Sequence, residues 1–434
     1  MRTPADPVSA PPGRELPYAL RALRHRNFCL FFIGQFISRT GFWMQGMAQG
    51  WLVYRLSQSS FMLGLVAFAG QFPAVVLGLF AGVVADRFNR YRVVMCTQML
   101  FMLQALILGL LTMAGWITVW EVFLLALMAG VLQTFEMPAR QIFLQEIVGK
   151  EDLSSAIALN SALVNGARII GPAFAGALVA KAGEGACFSI NGICYLAIIG
   201  GFLAMRLPPQ VTTVSTTAAS TWAFIHEGVF YAIHTPAIRL LLVLLSLLSL
   251  LSTPYTVLMP VFARDILQGG ASGMGLLMGA AGTGAVVGSI FLARQQGTDK
   301  LGRTIAFALV RFGVGLTLFS LSRHFWLSLL LLPLVGSGFM VPMSAANTLL
   351  QTVTPDHLRG RVMGLFLMTV MGTPPLGSLL AGSLAPHIGA PLTVGFTGVC
   401  CLGAAAWFAL RMHVLLETDE SEEMAGAEQG ATGK

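Results

Sequence analysis

The chain has 434 residues, 56% of them hydrophobic and only 10% charged, with a mean hydropathy of +0.76. Soluble domains carry roughly a quarter charged residues, so a soluble enzyme, a disordered chain, a nucleic-acid binder and a secreted disulfide scaffold are excluded as readings of the whole sequence. The net charge of +7, from 26 basic and 19 acidic residues, therefore reports first on orientation in a bilayer.

Residues 1–27 are polar and Pro-rich, with no signal-peptide cleavage pattern, and are read as a cytoplasmic segment. A membrane-crossing helix needs about 20 apolar residues, and twelve such segments follow. Six lie at 28–53, 61–85, 93–114, 119–141, 155–180 and 186–205. Six more lie at 237–262, 272–294, 301–321, 326–350, 359–384 and 391–415. The connection 206–236 is the longest polar stretch between them. It ends in Trp222–Tyr231, where aromatics at helical spacing predict a helix lying in the membrane interface. Residues 416–434 are acidic and Gly/Ala-rich, a composition that predicts disorder.

Basic residues divide unevenly between the two faces. Nineteen fall on the side of the N-terminus, the even-numbered connections and the C-terminus, and four on the other side. This asymmetry predicts that the first, basic face is cytoplasmic, with both termini there and an even number of spans. Arg39, Arg168 and Arg311 lie inside predicted spans. The six cysteines sit in apolar stretches without CxxC spacing and read as small buried hydrophobes.

The two halves share short matches in chain order. Gly64-Leu65-Val66 with Ala74-Val75-Val76 recurs at an offset of 211 as Gly275-Leu276-Leu277 with Ala285-Val286-Val287. The Gly176–Gly183 segment recurs as Gly382–Gly389, and Leu144-Gln145 as Leu350-Gln351, both at an offset of 206. Residues 28–205 and 237–415 are accordingly expected to form two pseudo-symmetric six-helix halves of an all-α polytopic membrane protein. Parallel repeats of this kind are a transporter signature.

After the second span stands Gly82-Val-Val-Ala-Asp86-Arg87-Phe-Asn89-Arg90-Tyr91-Arg92. It resembles the loop signature of the major facilitator superfamily, with Gly82, Asp86, Arg87 and Arg90 matching position by position. Val84, Asn89 and Tyr91 depart from it. Asn tolerates positive φ, so Asn89 is expected to preserve a turn made by glycine in the family, and Arg92 to offset the basic residue missing at Tyr91. The resemblance implies that Asp86 meets the N-terminal end of the helix beginning near Asp356 and so holds the outward-facing state.

Phe135–Gln141, Leu144–Val148, Ala158–Ser161, Ile170-Gly171-Pro172, Trp51–Arg55, Asn347–Gln351 and Leu358–Val362 together resemble the enterobactin-exporter-like, or transmembrane secretion effector, branch. That resemblance runs from about residue 20 to 415. It implies a proton-coupled antiporter that exports a small organic molecule, of siderophore or drug-like type, across the bacterial inner membrane. An importer of the same fold and a non-transporting receptor or scaffold are the alternatives.

An ionisable group at bilayer depth faces a cavity or a partner. Arg39 and Arg168 are therefore candidates for lining a substrate cavity, their guanidinium forks suited to carboxylates, or else for bracing against backbone carbonyls or Glu136. Uncharged candidates for the same cavity are Gln35, Gln45, Gln49, Asn165 and Tyr255. Glu136 is the one acidic residue well inside a predicted span. Burial penalises the charged form of a carboxylate, so it is the first candidate for proton coupling, against a helix-end ion pair with Arg140. Gly171, Pro172 and Gly176, and Pro374 with Pro375, supply the ingredients of bends that move, with plain helix packing as the alternative role of the glycines. No phosphate-binding loop, nucleophile–base constellation or metal-ligand spacing is readable. The expected partners are thus a small-molecule substrate, protons and membrane lipid. No cofactor, metal or nucleic acid is expected, and a monomer is the working expectation.

Overall fold

The computed structural model describes residues 18–149, 151–206, 221–295 and 300–412. The predicted disordered tail 416–434, most of the N-terminal segment and the first part of the central connection lie outside the described residues. Among those described, every regular element is helical. This is the arrangement a bilayer imposes, because a helix satisfies its backbone hydrogen bonds within one segment.

A short 3-10 turn at Tyr18–Arg24 leads into α1 (Arg26–Ser57). The next four helices are α2 (Ser60–Arg87), α3 (Arg90–Met113), α4 (Val119–Val148) and α5 (Leu153–Ala204). The second half begins after α6 (Thr221–His234) with α7 (Pro236–Val257). It continues through the one-turn α8 (Met259–Val261) and a π-turn, Phe262–Ile266. Then come α9 (Gly270–Ala293), α10 (Leu301–Leu321), α11 (Phe325–Val353), α12 (Asp356–Gly372), α13 (Pro374–Ile388) and α14 (Ala390–Arg411).

Ten helical stretches are long and apolar enough to cross a membrane. One of them, the 52-residue α5, contains two spans, because Gly183 at φ 80° turns the chain between its limbs. With α1, the total among the described residues is twelve. The predicted fifth and sixth spans are these two limbs. The predicted eleventh span is divided at Thr373 into α12 and α13, since Pro374 and Pro375 begin a new helix and cannot continue the old one.

Local signals fix the ends. The Thr118 amide donates to Glu121 Oε2 at 2.8 Å in a capping box that starts α4. Asn89 caps α3, its side chain accepting from the Arg92 amide at 3.0 Å. Its φ is −62°, so Asn89 does not stand in for a glycine with positive φ, as the motif suggested. It occupies its position as a helix cap. Tyr91 packs into an aromatic cluster, with ring centroids 5.5 Å from Phe202 and 6.2 Å from Phe143, and its hydroxyl donates to Phe202 O at 3.3 Å. The residue that replaces a basic one at 91 thus joins α3 to the aromatic packing of α4 and α5.

The halves meet along two pseudo-equivalent seams, α2 with α13 and α5 with α9. Glycines make both seams. A methyl group built on Gly64 would lie 2.7 Å from Gly382 Cα, and one on Gly176 would lie 3.0 Å from Gly275 Cα. Gly64 and Gly275 are repeat partners in sequence, and so are Gly176 and Gly382. Exchanging the halves therefore turns one seam into the other. Outward faces are apolar, with Phe80, Leu110, Phe307, Trp326 and Leu330 all exposed, as a lipid-facing surface requires.

Candidate functional site

Between the halves, at mid-depth, lie two adjoining cavities of about 410 and 350 Å³ that share Trp43, Gln71, Thr256 and Met278 in their walls. Each falls within the range of small-molecule sites, roughly 300–1,000 Å³. Arg168, halfway along the first limb of α5, lines the larger one with Tyr255 and Ser249 of α7. Its guanidinium stands over the Trp43 ring, 5.4 Å from the centroid, within cation–π range. Among the described residues Arg168 has no carboxylate partner. Ser249 Oγ is buried in the same wall and has no hydrogen-bond partner.

Several expected residues take other places. Arg39 does not line either cavity. It donates to both oxygens of Glu136, at 3.0 and 2.9 Å. Arg140 Nε lies 2.8 Å from Glu136 Oε1, and Gln98 Nε2 donates to that oxygen at 3.3 Å. Glu136 is 1% exposed, and its oxygens are met by donors from three helices. Three of the four contacts converge on Oε1, and among the described residues Oε2 is met by Arg39 alone. Of the two readings of Arg39, the brace is the one realised in this conformation.

Gln45 and Gln49 line the smaller cavity. Gln45 is also held from behind, donating to Gln104 Oε1 at 3.0 Å and accepting from Asn191 Nδ2 at 2.7 Å. Gln35 lines neither cavity and is buried with both polar atoms unpartnered. Asn165 turns back on its own helix to the Ser161 carbonyl at 2.9 Å. Pro172 and Pro374 line the larger cavity, whereas Pro375 is buried outside it. Gly171 packs against α1, where an added methyl would lie 2.8 Å from Thr40 O, and Gly176 sits in the α5–α9 seam. Trp43 and Gln71 are wall residues that sequence reasoning missed, because on apolar helices neither a charge nor a motif marks them. Arg311 is half-buried in α10, away from both cavities.

The two membrane faces differ. On the face opposite the basic one, the glycine seams are closed and the Tyr54 hydroxyl of α1 donates to Asp265 after α8, across the halves. Arg264 lies over the Tyr54 ring at 5.8 Å. Gln71 Nε2 donates to Ser378 Oγ at 3.4 Å below this seal. On the basic face no glycine seam of this kind is made among the described residues. Gly78 and Gly82 of α2, and Gly360 and Gly364 of α12, meet nothing within 4 Å of an added methyl.

The expected contact between Asp86 and the start of α12 is not made. Asp86 is exposed without an ion pair among the described residues, and Asp356 pairs with Arg359 of its own helix at 2.8 Å. Arg90 fastens the turn instead, donating to Ala85 O at 3.0 Å and to Glu146 at 3.0 Å, while Arg87 is exposed. Among the described residues no group of three His, Cys, Asp or Glu side chains could hold a metal ion.

Comparison with known proteins agrees with this architecture. The family model described as transmembrane secretion effector matches residues 18–430. The chain belongs to this family of the major facilitator superfamily. Among relatives in the superfamily, the staphyloferrin A transporter of Staphylococcus aureus is 25% identical over 395 residues, covering 90% of this chain and 98% of that one. The multidrug efflux pump Tap of Mycolicibacterium fortuitum is 29% identical, covering 84% and 91%. The enterobactin exporter EntS of Escherichia coli O1:K1 is 26% identical, covering 83% and 85%. Solved structures give the fold alone. The nucleoside transporter NupG superposes with a TM-score of 0.70 at 14% identity, covering 90% of this chain. An inward-facing bacterial Spinster homologue superposes with a TM-score of 0.66 at 13% identity, covering 94%. This secretion-effector chain is a multi-pass membrane protein with the fold of transporters, not of enzymes.

Proposed function

We propose that the protein exports a small organic molecule in exchange for protons, by rocking one six-helix half against the other around the central cavities. The asymmetry of the two faces carries this reading. The cavities lie beneath a seal of Gly64 against Gly382, Gly176 against Gly275 and Tyr54 with Asp265, while the glycines of α2 and α12 on the basic face are unopposed. With the basic face cytoplasmic, as the arginine asymmetry favours, this is the inward-open, cargo-loading state. Closing the basic face would bring Asp86 to the start of α12 and pack Gly82 and Gly360 into the seam they lack here.

Glu136 is the proton-responsive group in this scheme. Protonation would neutralise the carboxylate and weaken its ion pairs with Arg39 and Arg140, which couples proton exchange to the packing of α1 against α4. The relatives' names favour export, of siderophores or drugs, over uptake.

Comparing small molecules inside cells and in the medium, for the intact protein and for Asp86→Asn, tests direction. Retention of a compound inside cells carrying the variant supports export, whereas a compound left in the medium means uptake. In proteoliposomes, export by the intact protein is expected to respond to an imposed proton gradient and that of Glu136→Gln to lose the response. Equal response in both removes Glu136 from the coupling.

A further inference from the structure

The charges around the cavity narrow the cargo further than the family does. Among the described residues that line the two cavities, Arg168 is the one ionisable side chain of either sign apart from the Tyr255 phenol. The other arginines of the same half that reach membrane depth, Arg39 and Arg140, are spent on Glu136 and lie outside the cavity walls. Arg168 itself is held by a ring face and by no carboxylate. The buried Ser249 hydroxyl, which lacks any partner, opens onto the same cavity. Around them the walls are soft and polarisable, with Met259, Met278 and Met343 beside Trp43 and Phe339. Methionine-rich surfaces of this kind adapt to ligands of differing shape.

We infer that the cargo of this cavity is an amphipathic molecule with a single anionic oxygen group, bound to Arg168, and an apolar or aromatic body against Trp43 and the methionines. This inference rests on the transport reading above and specifies its substrate class. Three physical arguments support it. Among its described lining residues the cavity has no carboxylate of its own, which leaves the Arg168 guanidinium without an ionic partner, and a bound carboxylate supplies one in the bidentate geometry that arginine favours. A lipophilic cation would meet Arg168 as a like charge, with no carboxylate to replace its water. A polycarboxylate would satisfy one charge and bury the others unpaired.

The test uses purified full-length protein in nanodiscs and three probes measured by calorimetry: naphthoate, naphthylmethylammonium and trimesate. Naphthoate is expected to bind, and the isosteric ammonium and the tricarboxylate to bind at least about thirtyfold more weakly, the size of effect seen when a buried charge lacks its partner. Arg168→Gln should lower naphthoate affinity by about the same factor, Arg168→Lys should restore part of it, and Arg168→Glu should transfer the preference to the ammonium probe. Thermal melting of each variant separates loss of binding from loss of fold. Absence of naphthoate binding, equal or tighter binding of the ammonium or trimesate, or an unchanged affinity in a folded Arg168→Gln protein overturns the assignment. Flux in proteoliposomes is read separately. Naphthoate binding without gradient-driven movement would sink the export reading and leave the substrate class standing, whereas gradient-driven movement of the ammonium probe would do the reverse.

Discussion

Glu136 shows how a residue's role depends on its neighbours in space. Removing its carboxylate would leave two guanidiniums without their anion at the centre of the N-terminal half. Losing one member of a buried ion pair typically costs about 3–5 kcal/mol, so Glu136→Ala is expected to lower thermal stability sharply. Adding Arg39→Gln and Arg140→Gln should recover part of that loss in melting experiments, because the isolated charges go with it. A triple variant no more stable than the single one would mean that the network contributes through packing alone.

Asp152 is a second residue whose environment is specific. It lies at the basic face, at the start of α5 and outside the membrane spans, with His25 Nε2 2.8 Å and Arg24 2.7 Å from its Oδ2. The hydrogen bond to His25 holds its carboxyl below the usual carboxylate range, against the effect of burial and with help from the charge of Arg24. A carboxyl depressed in the folded state contributes stability that is present above its unfolded value, about 3.9. That stability is lost as pH falls through the lower folded value. Melting temperature is therefore expected to decline on acidification below about pH 4, and to decline less steeply in Asp152→Asn. Identical acid profiles would remove Asp152 from the acid response.

At the scale of elements, helix ends and helix seams call for different experiments. Asn89 caps α3 through the Arg92 amide, so Asn89→Ala should lower stability by about 1 kcal/mol and Asn89→Asp should hardly change it. Asn89→Gly, the family's residue, should cost only a few tenths of a kcal/mol. The seams are less forgiving. At Gly176 an added methyl would lie 2.8 Å from Ala271 O and 3.0 Å from Gly275 Cα, both backbone atoms that cannot turn aside. Gly176→Val is thus expected to push α5 from α9 at the sealed face. A single cysteine at Gln49, in a background free of the six native cysteines, should then react faster with an impermeant maleimide added from that face. An unchanged rate would mean that the seam gives locally and does not control access.

At the scale of the whole molecule, one face is shut, and the proposed rocking makes this conformation one of two states. Tyr54 and Asp265 belong to different halves and bridge them beside the glycine seams. A hydrogen bond between halves biases the equilibrium only in the state where it forms. Tyr54→Phe and Asp265→Ala should therefore each raise labelling of the Gln49 cysteine from the sealed face, and the double variant should do little more than either alone. Additive effects would show that the two residues act through separate contacts. Under the proposed rocking, the glycines of α2 and α12 on the basic face, which meet nothing within 4 Å here, form the counterpart seam, with Asp86 at their end.

Much of this architecture is legible in the amino-acid sequence. Apolar length sets the spans, because every backbone group in lipid must be bonded within its own helix. The repeat of Gly64 at Gly275 and of Gly176 at Gly382 is enough to anticipate two related halves. Tertiary structure alone decided which intramembrane charge is available. Arg39 and Glu136 are 97 residues apart in the chain and Arg168 lies 32 beyond Glu136. Sequence treats both arginines alike, as buried cations needing a partner. Coulombic pairing falls with distance, and the distance between side chains on different helices is set by how the helices pack. That packing gives Glu136 to Arg39 and Arg140, and leaves Arg168 to the cavity.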